Sequence, residues 1–139
     1  MEKYKILIQE AKRAMGFSYS PYSRFSVGAA LLCDDGSIYG GCNIENAAYS
    51  PTNCAERTAF FRAIYEGERE FEKIAVVGAL GDREPDETCA PCGVCRQVMM
   101  EFCDPETFRI ILANGKEEPM EILLKDLVPY GFGGKNLEK

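Results

Sequence analysis

Two short segments constrain this chain more than any others: Cys54-Ala55-Glu56 and Pro91-Cys92-Gly93-Val94-Cys95 place three thiols and a carboxylate at metal-ligand spacing. Structural zinc sites close their shell with four protein ligands, whereas a three-ligand shell keeps a position open for water or substrate. A structural four-cysteine module would show two Cys-x-x-Cys pairs, and here the third partner stands alone at Cys54. The pattern reads as a catalytic zinc site with Cys54, Cys92 and Cys95 as ligands and Glu56 as the group that moves protons. Cys89 leaves a rival open, because Cys89, Cys92 and Cys95 form a double x-x spacing that completes a shell of four thiolates. Zinc would then be structural and the chain an interaction module. Pro91 opposes this by turning the chain into a helix and leaving Cys89 upstream of its first turn. Thiol redox chemistry at Cys92 and Cys95 is a further rival, opposed by the lack of a thioredoxin-like strand before the pair.

The 139 residues are 46% apolar, which fits one domain over 1–139 with a sizeable core. No apolar run reaches the roughly 20 residues of a membrane helix, and Met1-Glu2-Lys3-Tyr4-Lys5 opens an amphipathic pattern rather than a signal peptide. A cytoplasmic location is expected. Seven cysteines, three of them assigned to metal, fit a reducing compartment, and Cys33, Cys42 and Cys103 read as small buried packing. A net charge of −6 opposes a nucleic-acid partner, which needs a basic track, and favours a small-molecule one. Histidine is absent, so proton chemistry falls to Glu, Asp, Lys, Tyr or a metal-bound water.

Tyr4, Leu7, Ile8, Ala11, Ala14 and Met15 recur at helical spacing, which predicts an amphipathic helix ending near Gly16. Strands are expected over Phe25–Leu32 and Ser37–Asn43, around an Asp34-Asp35-Gly36 hairpin signal. A helix over about Cys54–Tyr65 follows, ended by Glu66-Gly67, then a buried strand over Lys73–Leu80 and a polar loop from Gly81 to Thr88. A third helix is expected over Cys92–Phe102, and a strand over Phe108–Ala113 closed by Asn114-Gly115, with a short amphipathic tail to Pro129. This alternation implies an α/β sandwich with helices on both sheet faces. It also points two helix N-termini at the three thiols, which favours thiolates.

Ser20-Pro21-Tyr22-Ser23-Arg24-Phe25-Ser26-Val27-Gly28-Ala29-Ala30-Leu31, Asn43-Ile44-Glu45-Asn46-Ala47, Cys54-Ala55-Glu56-Arg57 and Pro91-Cys92-Gly93-Val94-Cys95-Arg96-Gln97 together resemble the small homotetrameric zinc-dependent cytidine deaminases. The likeness runs from the N-terminal helix to Leu127-Val128-Pro129-Tyr130-Gly131-Phe132. Ala90, where the family often has Ser, and Val128, inside what is usually Leu-Leu-Pro, are departures that carry no chemistry. The resemblance implies a three-layer α/β/α sandwich with a central mixed five-stranded sheet, one Zn²⁺ per subunit and a homotetramer. It implies hydrolytic deamination of cytidine and 2′-deoxycytidine to uridine and 2′-deoxyuridine by a zinc-bound hydroxide, in pyrimidine salvage.

It also implies residue roles. Glu56 is the catalytic proton carrier, and Phe25, Asn43, Glu45, Ala55 and Phe132 contact substrate, Glu45 at the ribose 3′-hydroxyl and Phe132 from a neighbouring subunit. Arg57 hydrogen-bonds the ligand sulfurs and withdraws charge from a shell whose three thiolates leave zinc at a formal −1. Each has a plainer reading: Glu56 as the end of an Asn53-x-x-Glu56 capping box, Arg57 as a solvated helix residue, Asn43 and Glu45 as a turn residue and a solvated acid, Phe25 as core and Phe132 as a packing anchor. A carboxylate near the sugar would repel phosphate and so favour free nucleosides. A deaminase of a nucleoside-like antibiotic is the second enzymatic reading, against which Asn43-x-Glu45 argues for a ribose-bearing substrate.

Overall fold

Tyr4, Leu7, Ala11 and Ala14 become the buried stripe of α1 (Glu2–Met15) in the computed structural model of the chain, which describes residues 2–81, 84–85, 88–113 and 118–138. The expected Asn114-Gly115 turn lies outside the described residues, as do Asp82, Arg83, Asp86 and Glu87 of the expected polar loop. β1 (Phe25–Cys33) and β2 (Ile38–Cys42) pair as the expected hairpin, where Gly36 takes a φ of 92° that a side chain would resist. Then come α2 (Ala55–Tyr65), β3 (Phe71–Leu80), α3 (Gly93–Phe102) and β4 (Arg109–Leu112). The segment read as an amphipathic tail instead supplies β5 (Met120–Leu123), antiparallel to β4, before the short helix α4 (Leu124–Leu127).

The sheet order is β2-β1-β3-β4-β5, antiparallel except for the parallel β3–β4 pair. The mixed five-stranded sheet of the resemblance is present. Alternation along β1 and β3 divides the core between the two faces. Ala30, Ala75 and Val77 pack with Tyr4, Leu7 and Ala11 of α1, whereas Ala29, Leu31, Ile74 and Val76 pack with α2 and α3. Phe60 of α2 centres the second layer, edge-on to Phe71 at 5.2 Å and stacked on Phe102 at 6.1 Å.

Glycines set how closely the helices lie on the sheet. A Cβ built on Gly41 of β2 would stand 2.5 Å from both the Ala55 carbonyl oxygen and the Ala59 nitrogen. The first turns of α2 therefore rest on bare backbone, and this contact fixes the height of the helix that carries Cys54 and Glu56. Of the cysteines read as packing, Cys33 and Cys103 are buried, and Cys42 is only partly so.

Candidate active site

The loops 16–24 and 43–54 close on each other beside the start of β1. Tyr19 N–H donates to the Asn43 carbonyl at 3.0 Å and Glu45 N–H to the Tyr19 carbonyl at 2.8 Å, while Ile44 and Asn53 exchange two backbone bonds of 2.9 Å. That last pair delivers the chain to Cys54, the N-cap of α2. Pro91 delivers Cys92 to the N-cap of α3 in the same way, and Cys95 follows one turn into that helix. Neither helix has a side-chain cap, so first-turn N–H groups and the positive dipole ends lie at the sulfurs.

The three sulfurs form one group. Cys54 Sγ and Cys92 Sγ are 3.6 Å apart, Cys92 Sγ and Cys95 Sγ 3.5 Å, and all three lie within 4.8 Å of one another. Tetrahedral zinc with Zn–S bonds of about 2.3 Å requires S···S edges of roughly 3.8 Å, so the triad fits zinc with little movement. Cys89 is not a member of this group. Its thiol lies instead against Gly78 of β3, where a Cβ would meet Cys89 Sγ at 3.0 Å and the Phe25 ring at 2.8 Å. Burial, then Glu56 and Cys54, push the Cys89 thiol up to about 11.

Cys54 is held far below the usual thiol range, at about 5, by the Cys95 sulfhydryl that donates to it and by Arg57; Cys95 is pushed up by the same bond. Arg57 Nη2 donates to Cys54 Sγ at 3.3 Å and to the Thr52 carbonyl at 3.5 Å, so this arginine is not a solvated helix residue. Glu56 is 4% exposed, and burial pushes its carboxyl up to about 7, with the Cys54 charge adding and Arg57 opposing. A carboxyl there is suited to give and take protons at neutral pH. The capping-box reading does not match the geometry: Cys54 is the N-cap, and Asn53 Nδ2 donates to Thr58 Oγ1 at 3.1 Å.

Ala55 is fully buried between Cys54 and Glu56. Phe25 opens β1, 36% exposed, its ring lying over Gly78 beside Cys89. Asn43 and Glu45 both turn toward the 18–27 segment, as their spacing suggests, but much of their polarity serves the protein itself. Asn43 Oδ1 accepts from Ser18 Oγ at 2.5 Å and Val27 N–H at 2.9 Å, and its Nδ2 donates to the Phe25 carbonyl at 2.9 Å. Glu45 Oε1 accepts the Tyr22 and Ser23 N–H groups at 3.0 and 3.1 Å, and Oε2 accepts the Ser23 hydroxyl. The Ser23 hydroxyl first, and these N–H groups with it, hold the Glu45 carboxyl below its ordinary value, so it stays an anion. Phe132 keeps a 55% exposed side chain, and its carbonyl accepts Gln97 Nε2 at 2.9 Å.

The sequence reading missed Ser18 and Ser23, which brace Asn43 and Glu45, and the wall of Gly78 and Cys89. It also missed Arg96, which donates to the Pro91 carbonyl at 2.8 Å and the Leu127 carbonyl at 3.0 Å and so ties the third helix to the C-terminal segment. A glycine inside an otherwise apolar strand was the available signal for Gly78.

Three clustered cysteine sulfurs at two helix starts, with a buried carboxyl two residues from one of them and a braced polar loop tied to the same segment through the Ile44–Asn53 pair, fit a hydrolytic metalloenzyme site. The sequence model for the cytidine and deoxycytidylate deaminase zinc-binding region matches residues 1–110. A cytidine deaminase of Sporosarcina psychrophila is 49% identical over 94% of this chain and 92% of its own length, and one of Halalkalibacterium halodurans is 47% identical over 96% of each. The crystal structure of a cytidine deaminase from Burkholderia pseudomallei superposes with a TM-score of 0.84 at 46% identity, covering 93% of this chain and 98% of that one. The chain belongs to the zinc-dependent cytidine and deoxycytidylate deaminase family, and its cofactor is zinc.

Proposed function

We propose that this enzyme hydrolyses the 4-amino group of cytidine and 2′-deoxycytidine, releasing ammonia and the uracil nucleoside, as a homotetramer of single-domain subunits in cytoplasmic pyrimidine salvage. The observation that carries the reading is the conjunction of the Cys54, Cys92 and Cys95 sulfurs with a buried Glu56 whose carboxyl sits near 7.

Zinc held by the three thiolates supplies Lewis-acid activation of a water molecule near neutral pH. Glu56 accepts the proton of the attacking water and passes it to N3 of the pyrimidine as C4 becomes tetrahedral; it then takes the C4 hydroxyl proton and delivers it to the amine, so that the C4–N bond breaks, ammonia leaves and the C4 carbonyl forms. Arg57 draws charge from Cys54, offsetting the surplus of the three-thiolate shell. Phe25 faces the base, Ala55 lines its edge, and Glu45 and Asn43 use their remaining hydrogen-bonding positions for the ribose hydroxyls. The anionic Glu45 disfavours a 5′-phosphate. Phe132, exposed on the isolated chain, closes a neighbouring subunit's pocket against water.

An absorbance assay of cytidine conversion, run before and after chelation and zinc restoration, tests the reading. Turnover that disappears with the metal and returns with it supports the assignment, and a chain inert toward cytidine with full zinc refutes it. Sedimentation at assay concentration tests the tetramer.

A further inference from the structure

Of the three clustered cysteines, Cys92 has the least to hold it in place. Cys95 is 1% exposed on the core side of α3, and Cys54 is bonded to Arg57 and enters a helix that rests on Gly41. Cys92 is exposed, and as the N-cap of α3 it lies outside the helix proper, with φ −71°, ψ 171° and no side-chain cap. Its sulfur stands where the Pro91–Cys92 peptide puts it.

Arg96 anchors that peptide. Its guanidinium reaches back along α3, so that Nε donates to the Pro91 carbonyl at 2.8 Å, while Nη1 donates to the Leu127 carbonyl at 3.0 Å. Among the described residues, the bond from Arg96 is the only hydrogen bond to the main chain of 88–91. Pro91 is fully buried and has no N–H of its own. Leu127 is the last residue of α4, where the terminal carbonyls have no partner inside the helix and a basic side chain can supply one. A guanidinium with two of its nitrogens on main-chain oxygens of different segments has little freedom left, because its donors form one rigid plane.

Without that donor the carbonyl of a buried proline loses its partner, and such groups are costly to leave unpaired. The relief open to it is rotation of the Pro91–Cys92 peptide toward water. The same rotation swings the Cys92 Cα–Cβ bond and carries Sγ away from its 3.6 Å separation from Cys54 Sγ and its 3.5 Å separation from Cys95 Sγ. We propose that Arg96 is a positioning residue for the metal centre, which fixes the exposed ligand Cys92 so that the three sulfurs are grouped before zinc arrives. This rests on Cys92 being a ligand, as proposed above. Arg57 touches a ligand sulfur directly, whereas Arg96 acts through a main-chain carbonyl. Lysine keeps the charge but cannot place donors at both the Nε and Nη1 positions, so it does not replace Arg96.

The test compares the full-length wild-type, Arg96→Lys and Gln97→Ala proteins. Zinc affinity is read by chelator competition, and ligand geometry from the sulfur-to-cobalt and d–d bands of the Co²⁺-substituted protein, with thermal melts and kinetics at saturating zinc alongside. Arg96→Lys is expected to bind zinc about 10–100-fold more weakly, to alter the cobalt bands, and to lower kcat while KM for cytidine changes little. Gln97→Ala removes the neighbouring 2.9 Å bond from the same helix to the Phe132 carbonyl and should leave zinc affinity and the cobalt bands at wild-type values, which separates ligand placement from a general loosening of the C-terminal segment. If Arg96→Lys does not fold, Arg96→Gln decides by the same readouts. Zinc affinity and cobalt bands unchanged in the Arg96 variant, even with a lowered melt, or equal losses in Gln97→Ala, overturn the proposal and leave the ligand set standing. A wild-type protein whose cobalt form lacks the sulfur-to-cobalt bands overturns both.

Discussion

Replacing Gly41 with alanine places a methyl carbon 2.5 Å from the Ala55 carbonyl oxygen and the Ala59 nitrogen, and 3.0 Å from Ala59 Cα. Ordinary contact begins near 3.4 Å, and the atoms in the way are helix backbone, which cannot rotate aside. α2 must therefore lift by about 1 Å at its N-terminal end. Overpacking of this kind costs about 1–3 kcal/mol, or on the order of 4–10 °C in melting temperature for a chain of this size. The functional loss should exceed the loss of stability, because the lifted turn carries Cys54 and Glu56 while Cys92 and Cys95 stay on α3. A misplacement of ~1 Å costs on the order of 100-fold in rate. The control is its neighbour: on Gly40, a Cβ meets nothing closer than Ala14 Cβ at 3.4 Å. Thermal melts, zinc content and kcat should all be near wild type for Gly40→Ala and all reduced for Gly41→Ala. Equal behaviour of the two variants would show that the helix-to-strand contact does not set the site.

Each of Cys54→Ala, Cys92→Ala and Cys95→Ala should lose the tightly held zinc after dialysis against metal-free buffer, whereas Cys89→Ser keeps it, since Cys89 lies outside the sulfur group; zinc counting decides, and a reversed pattern refutes the ligand set. Arg57→Ala removes the 3.3 Å bond to Cys54 Sγ and should lower zinc affinity in chelator competition, or kcat/KM, by roughly 10–100-fold. Glu45→Ala should raise KM for cytidine by roughly tenfold to 100-fold, because it removes both an anionic acceptor and the brace of the Tyr22–Ser23 turn. Turnover of free cytosine should barely change; unchanged KM for cytidine, or a loss as large for free cytosine as for cytidine, would take Glu45 out of the ribose site.

The grouping of the three sulfurs was legible because their spacing is read at short range. Cys54 and Cys92 each cap a helix whose apolar pattern follows directly, so the motif and the local structure point to the same geometry. β5 was not legible, because Met120–Leu123 spans only four residues and its burial does not alternate cleanly. The braces of Asn43 and Glu45 come from Ser18, Tyr22 and Ser23 on another loop, and no spacing rule connects them. Backbone contacts as close as that of Gly41 leave a trace only as a glycine, which a sequence uses for turns and bulges as well.

Whether a buried carboxyl beside a three-thiolate zinc carries the protons of the reaction is decided by Glu56→Gln, with zinc content and cytidine turnover measured on one preparation. Wild-type zinc and an unchanged melt are expected, with turnover reduced by ~10⁴-fold or more because one carboxyl serves every proton transfer. Turnover within a few-fold of wild type at full zinc occupancy would contradict it and reduce Glu56 to a part of the helix start.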